Sequence, residues 1–322
     1  MDLKSLKIGR AVSIVIKTLP ISAVRLGALF VFWIIALVYL AIIGGIAWLA
    51  GQALPLAGII IFLVGIGGVG FLYKLARDYV LYMIKAAHIA VIAEIIHKGS
   101  DMPVMISQLS YGKDQVKKRF GEASVMFAVD KIISGIINVF TSAVYRFTSF
   151  LPGNAGRNIA GIINRVIKFS LNYIDEAILA RTFWLDSGSV WANAKDGIIL
   201  YGMVWKPLLM NAIALMVLSY VPFAVAVILL VAPVGGAIWY LTSSTIGGWV
   251  VIALLILAYL IKVAIGDAFA MAAIIASYHD EIQGLEPSPE VSAKLEGISS
   301  KFRELKDKAS SSLGMDSKEK ES

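Results

Sequence analysis

No Asp, Glu, Lys or Arg occurs from Leu26 to Tyr73, and none from Pro207 to Ile261. A helix needs about 20 apolar residues to cross the hydrocarbon core of a bilayer, so each interval has room for two crossings and a turn. A buried soluble helix has no need of two such intervals. The rest of the chain agrees, with 58% apolar and 16% charged residues against roughly 25% charged in ordinary soluble domains. The expected class is an all-α, polytopic integral membrane protein.

The first crossing is read from about Leu26 to Ala50, with Trp33 and Trp48 as interface anchors. Gly51 to Pro55 forms an uncharged turn, and a second crossing runs from Leu56 to Tyr73. The second hairpin is read from Pro207 to about Val231, through a turn holding Pro233, Gly235 and Gly236, and back from Trp249 to about Ile265. Pro222 and Pro233 bracket an apolar run and are candidate kinks. Lys4, Lys7, Arg10, Lys17 and Arg25 precede the first crossing, while Lys74, Arg77 and Lys85 follow the second. Basic residues gather on the cytoplasmic side, so both chain ends are expected there, in a multi-pass protein of the cell membrane. Both hairpins begin and end on one side, which is not the inverted repeat of many carriers. The net charge of +7 then points to anionic headgroups as partners rather than nucleic acid.

Three regions follow. Residues 1–24 read as a basic amphipathic helix, a kind of segment that lies in the headgroup plane. Lys4, Lys7 and Arg10 resemble a signal-peptide n-region, but Lys17 and Pro20 cut the apolar run and no cleavage site follows. Residues 25–286 form the membrane domain. Residues 287–322 read as a soluble, partly disordered tail, helical to about Lys308, with Val291, Leu295, Ile298, Phe302 and Leu305 on a face that packs on the body or on a second copy.

Between the hairpins lie amphipathic helices. Lys131, Ser134, Asn138, Ser142, Tyr145 and Ser149 share one face of residues 121–150, and Gly161, Asn164, Lys168, Asn172 and Asp175 one face of residues 155–182. On the insertion scale Asp130 and Lys131 cost roughly 5–7 kcal/mol together, while each Ile, Val or Phe returns about 0.3–0.6. Lone insertion therefore loses. Four crossings are secure, and five to seven result if these helices insert as a packed group.

Motifs for chemistry are scarce. Cysteine is absent, which removes disulfides, thiol nucleophiles and Cys-based zinc sites. Gly65-Ile66-Gly67-Gly68-Val69-Gly70 matches a dinucleotide fingerprint in letters, but inside a crossing its small residues serve close helix approach. His88 and His97 lie nine residues apart, on opposite faces of a helix, and His279 reads as a solvated end cap. No HExxH, GxSxG or Walker pattern occurs. The chain is read as a non-enzyme without cofactor or metal.

Polar residues inside the membrane are the default functional candidates. Lys131, Asn138, Lys168, Asn172, Asp175, Asn211 and Asp267 are the candidates for a transport path. Asn211 either lines a cavity or bonds a neighbouring helix. Lys262 and Asp267, five residues apart, point about 140° away from each other on an α-helix, and Lys262 can snorkel to the interface. Gly266 permits close backbone approach beside Asp267. Asp175 and Glu176 form either a solvated face or a cation-attracting vestibule. The leading reading is passage of a small solute or ion. The alternatives are a homo-oligomeric channel with its pore on the symmetry axis, and a membrane scaffold.

Tyr173-Ile174, Ala177-Ile178, Phe183 and Ala194-Lys195, with Phe120-Gly121 opening an apolar helix and Asp280-Glu281 before Gly284, resemble the choline-transporter-like family of solute carriers over residues 120–290. That resemblance implies membrane transport, of a choline-like cation or lipid precursor. Aromatic cages hold quaternary ammonium groups.

Overall fold

The computed structural model describes residues 8–99, 106–121, 123–148, 173–185, 189–242 and 244–319, and every regular element among them is helical. Helix α1 spans Ile8–Lys17 and α2 spans Leu19–Ala53. A long continuous helix follows as α3 (Pro55–Leu75), a π-helical stretch (Ala76–Leu81) and α4 (Tyr82–Lys98). Next come α5 (Ile106–Phe120), α6 (Ala123–Thr148), α7 over 173–184, and α8 (Val190–Leu218). The second hairpin contains α9 (Val221–Ala226), a π-helical stretch (Val227–Gly235), α10 (Gly236–Leu241), α11 (Ser244–Ile261), a third π-helical stretch (Lys262–Gly266) and α12 (Asp267–Glu281). Helices α13 (Pro289–Ile298) and α14 (Ser300–Glu319) complete the order.

The chain is an all-α polytopic membrane protein. Among the described residues four helices are long and apolar enough to cross a bilayer: Leu19–Ala53, Pro55–Lys98, Ala214–Leu241 and Thr245–Glu281. Only 11–22% of their most apolar windows is buried against protein, so Leu37, Leu63, Val64, Leu229 and Trp249 stand outward. That surface far exceeds the apolar patches a protein keeps in water. Lipid is its solvent.

The first hairpin turns at the place expected. Leu54 alone is extended, at φ −143°, and Pro55 starts α3 where its missing N–H costs nothing. Gly58 meets Gly51, Gly65 meets Ile43 and Gly68 meets Tyr39, each too closely for a Cβ. The glycine-rich run is thus a helix-packing face.

The second hairpin is shifted along the chain from the sequence reading. Pro207 lies inside α8, and the first crossing of this hairpin runs on to Leu241. Pro233, Gly235 and Gly236 are not a turn but lie in and next to the π-helical stretch, and the chain turns after the extended Thr242. The reason is the solvent. Lipid offers no competing hydrogen bonds, so a helix absorbs an internal proline by local π-type adjustment rather than ending.

Two of the membrane helices do not stop at the membrane. Pro55–Lys98 has 44 residues, about 66 Å at 1.5 Å per residue, roughly twice the hydrocarbon thickness. Its second half, α4, is the buried pillar of a compact helical body. Eleven consecutive residues of α12, Ala268 to Tyr278, are buried as a second pillar. Alanine recurs in both, four times in α4 and five times in α12, combining high helix propensity with close packing. Helix α4 ends at Gly99 and α5 at Gly121, both with positive φ, as a left-handed cap requires.

Around these pillars pack α1, α5, α6, α7, α8 and α14. Helix α1 lays Ala11, Ile14 and Val15 against protein, packing on α12 rather than leaving that whole face to lipid. Arg10 fastens it, bonding the Asp280 carboxylate at 2.9 Å and the Ile96 carbonyl at 3.0 Å. In the tail, Leu295, Phe302 and Leu305 are buried, while α14 packs on α8 and α6. Where the sequence reads as disordered after Lys308, α14 continues to Glu319 and buries Ala309.

Candidate functional site

Both pillars leave the membrane through a π-helical stretch, Ala76–Leu81 on the first hairpin and Lys262–Gly266 on the second. A π-helix closes its backbone bonds five residues on, and such stretches concentrate at functional sites. Here the Asp267 N–H donates to the Lys262 carbonyl. That geometry corrects the expectation for this pair. Residues five apart diverge on an α-helix, but the π-helical turn brings them together, and Lys262 Nζ donates to Asp267 Oδ1 at 2.7 Å. Lys262 therefore does not snorkel outward. It is buried, 4.8 Å from the centre of the Tyr220 ring. A Cβ on Gly266 would overlap the Ser219 carbonyl, so the close approach anticipated at that glycine is real.

A cavity of about 530 Å³ lies at this junction. Arg25 and Leu29 of α2, Tyr73 of α3, Arg77, Asp78 and Leu81 of the first π-helical stretch, and Tyr82 and Lys85 of α4 form one side. Phe127, Asp130, Lys131, Ser134 and Asn138 of α6 face them, with Tyr173, Asp175 and Glu176 of α7. Tyr259, Val263, Asp267 and Met271 close it from the second hairpin. Both hairpins and the body thus share one charged chamber.

The charges fall into two groups. Asp267 accepts from Tyr173 Oη at 3.0 Å and from Lys262, and Arg25 lies 3.7 Å from its other oxygen. The second group lies among α4, α6 and α7. Lys85 Nζ pairs with Glu176 Oε1 at 2.5 Å. Asp175 accepts from Ser134 Oγ at 2.8 Å and from the Glu176 N–H at 3.1 Å. Tyr82 Oη, Asp130 Oδ1 and Glu176 Oε2 are buried without a hydrogen-bond partner among the described residues. Orphaned buried polar atoms are rare in native structures and costly.

This environment splits the carboxyls. Burial, with Asp175 nearby, pushes Asp130 up to about 7. Burial and Asp175 also hold Glu176 well above the usual carboxylate range. Burial acts upward on Asp175 too, but Lys85 and the hydrogen bonds from Ser134 and Glu176 outweigh it and keep that group below its ordinary value. Burial and the adjacent Asp267 raise Tyr173. Acids driven apart by their surroundings mark candidate functional sites.

Of the seven path candidates, Lys131, Asn138, Asp175 and Asp267 line this chamber. Lys168 and Asn172 lie outside the described residues, and Asn211 falls on α8 with its side chain outside them. The pair Asp175 and Glu176 is not a solvated face, since both are buried. Arg25, Tyr82, Lys85 and Tyr173 join the site although the sequence did not place them on the path, and Glu176 joins it as the vestibule alternative for the Asp175–Glu176 pair anticipated. Their signal was faint: Arg25 and Lys85 served to orient the chain, and nothing local announces that α4 and α7 converge.

His279 also departs from expectation. Its side chain is 14% exposed, with its ring 5.0 Å from Trp184 and 6.0 Å from His97. This aromatic cluster caps the far end of the body, 15 residues beyond Tyr82 along the pillar. No group of three or more His, Cys, Asp or Glu among the described residues is arranged to hold a metal. Of the residues carrying the resemblance to choline-transporter-like carriers, Tyr173 faces the chamber, while Ile174, Ala177, Ile178 and Ala194 belong to the body core. No family model, curated protein or solved structure matches this chain.

Proposed function

We propose that this chain is a membrane transport protein that takes up a small polar or ionic solute in the chamber between its hairpins and its helical body. One observation carries the reading: a charged cavity of about 530 Å³ built jointly by both hairpins and the body. Ligand sites run from roughly 300 to 1,000 Å³, and buried charge beside a membrane span is expensive unless it serves a path. The excess of Lys and Arg around the hairpin feet supports cytoplasmic chain ends, which makes the chamber a cytoplasmic vestibule in the cell membrane. The resemblance to choline-transporter-like carriers adds the same class of activity.

The test is uptake into sealed liposomes holding the purified protein. Saturable uptake of a solute from a panel of small cations, anions and zwitterions is expected, with loss of uptake in Asp267→Asn. Uptake equal to that of protein-free liposomes for the whole panel overturns the proposal.

A second reading has its own observation. Gly44, Gly45, Gly67 and Gly70 carry open space where a Cβ would stand, and bare glycines let membrane helices approach closely. A ring of copies with a pore on the symmetry axis uses such faces. Light scattering in mild detergent separates the two: a carrier runs as a monomer or dimer, a channel as a higher symmetric oligomer with unitary currents in a planar bilayer.

A further inference from the structure

We propose that the chamber takes a small organic cation bearing N–H donors, of the primary ammonium or guanidinium class, in exchange for a proton held among Asp130, Asp175 and Glu176. This rests on the chamber being a solute site. The charge count comes first. Three carboxyl groups meet at the α4, α6 and α7 junction, and among the described residues the half-buried Lys85, paired with Glu176, is the cation set between them. Arg25 and Lys262 are committed to Asp267. Lys131 is exposed, with its ammonium 4.9 Å from the centre of the Phe127 ring. Among the described residues the cluster is therefore short of positive charge, which protons or a bound cation can supply.

Hydrogen bonding then selects the cation. Among the described residues no N–H or O–H group donates to Asp130 Oδ1 or Glu176 Oε2, and Tyr82 Oη beside them is also unpartnered there. Asp130 is 6% exposed and Glu176 2%, so bulk water does not serve them freely. An ammonium or guanidinium offers three or more N–H groups to such a set. A quaternary ammonium offers none and leaves the acceptors orphaned. The ring pair of Tyr82 and Phe127, 5.1 Å apart, adds a wall on which either kind of cation can rest. A divalent metal is the poorer fit, since no ligand group of three or more is arranged for one among the described residues.

The exchange balances. A neutral carboxyl loses its proton to water as the N–H cation arrives, the resulting carboxylate pairs with that cation, and the chamber's net charge is unchanged. No bond to carbon forms or breaks. The charged and titratable groups that share the chamber with the carboxyl cluster are Lys85 and Tyr82 of α4, Lys131 of α6, Tyr173 of α7, Arg25 of α2, Tyr73 of α3, Arg77 and Asp78 of the first π-helical stretch, and Tyr259 and Asp267 of the second hairpin. Their positive members, Lys85 foremost, keep Asp175 ionised while Asp130, lifted to about 7, retains a proton near neutrality.

The experiment is titration calorimetry on the full-length protein in detergent, with methylammonium, guanidinium, tetramethylammonium, acetate and glycine as probes. Each titration is repeated in buffers of different ionisation enthalpy, which reports proton release. At pH 6, below the Asp130 value, methylammonium or guanidinium binding with release of about one proton is expected, with tetramethylammonium at least about tenfold weaker because it leaves buried acceptors unpaired. In the double variant Asp130→Asn, Glu176→Gln the proton release falls to near zero, and in Asp130→Glu it is retained, with a thermal melt of each variant reporting its fold. Equal affinity for tetramethylammonium, or cation binding without proton release, overturns the proposal. Binding of acetate or glycine in place of the cations also overturns it while leaving the solute chamber standing. Silence from every probe, together with absent liposome uptake, removes both.

Discussion

The two halves of the helix Pro55–Lys98 use similar apolar side chains under opposite conditions. In α3, Leu63 and Val64 are 61% and 71% exposed; in α4, Ile89 and Ile92 are almost wholly buried. The outer half is solvated by lipid, which is as apolar as leucine and gives its helices no hydrophobic reason to associate. The inner half lies in a body whose core is driven together by expulsion of water, at roughly 25 cal/mol per Å². A single helix passing from one solvent to the other needs a seam. In both hairpins the seam is a π-helical stretch, and the charged chamber sits beside the two of them.

That contrast can be broken most forcefully at the seam itself. Asp267→Ala leaves Lys262 and Arg25 without their shared counter-charge, and a cost of about 3–5 kcal/mol is expected from a broken buried pair. Thermal unfolding in detergent measures it, and Lys262→Met added to Asp267→Ala should restore part of the loss. In the body, Phe302→Ala empties a fully buried site and should cost about 3–5 kcal/mol. Val64→Ala on the lipid face should cost under about 1 kcal/mol, because lipid refills the space. Equal costs at the two positions would mean that the hairpin surface is covered by protein.

Charge placement sharpens the comparison further. Val64→Lys carries an insertion penalty of about 2.5–3.5 kcal/mol at a helix centre and should lower the membrane-inserted yield. Ile298→Lys, at a 46% exposed position of the body, should leave yield unchanged. The pH response of Asp130 is a cumulative effect rather than a single cost. Its folded value of about 7 lies above its ordinary one, so the folded state binds more protons between about pH 4 and pH 7. Stability therefore falls as pH rises through that window, by up to about 1.4 kcal/mol per pH unit, and levels off above it. Asp130→Asn should flatten the decline. Denaturant titrations at stepped pH read the difference, and an unchanged slope would place Asp130 in contact with water.

Part of the site was visible in the residues alone. Lys131 and Asn138 could be placed on a common face because helical period is a local property, and Asp175 and Asp267 stood out because charge next to a membrane span demands a partner. Who those partners are was not legible. Lys85 sits 91 positions from Glu176, and Tyr173 sits 94 from Asp267, so no local pattern links them. Helix α7 reads as amphipathic with its carboxylates either in solvent or at a vestibule, and only the packing of α4 and α6 against it decides between the two. The misplaced second turn has a related origin, since proline and glycine punctuate chains in water far more firmly than in lipid.

What the sequence by itself determined is the solvent of each segment. Two charge-free intervals long enough for paired crossings leave an α-helical membrane protein as the outcome, because every backbone N–H and C=O in lipid must find its partner within the helix. Tertiary structure alone decided where the polar groups meet. Lys262 and Asp267 face each other only because the helix locally widens to a π-helical turn, and Asp130, Asp175, Glu176 and Lys85 converge only because α4, α6 and α7, far apart in sequence, pack side by side. Hydropathy is additive along a chain and can be read from it. Juxtaposition belongs to packing, which depends on the whole set of contacts at once.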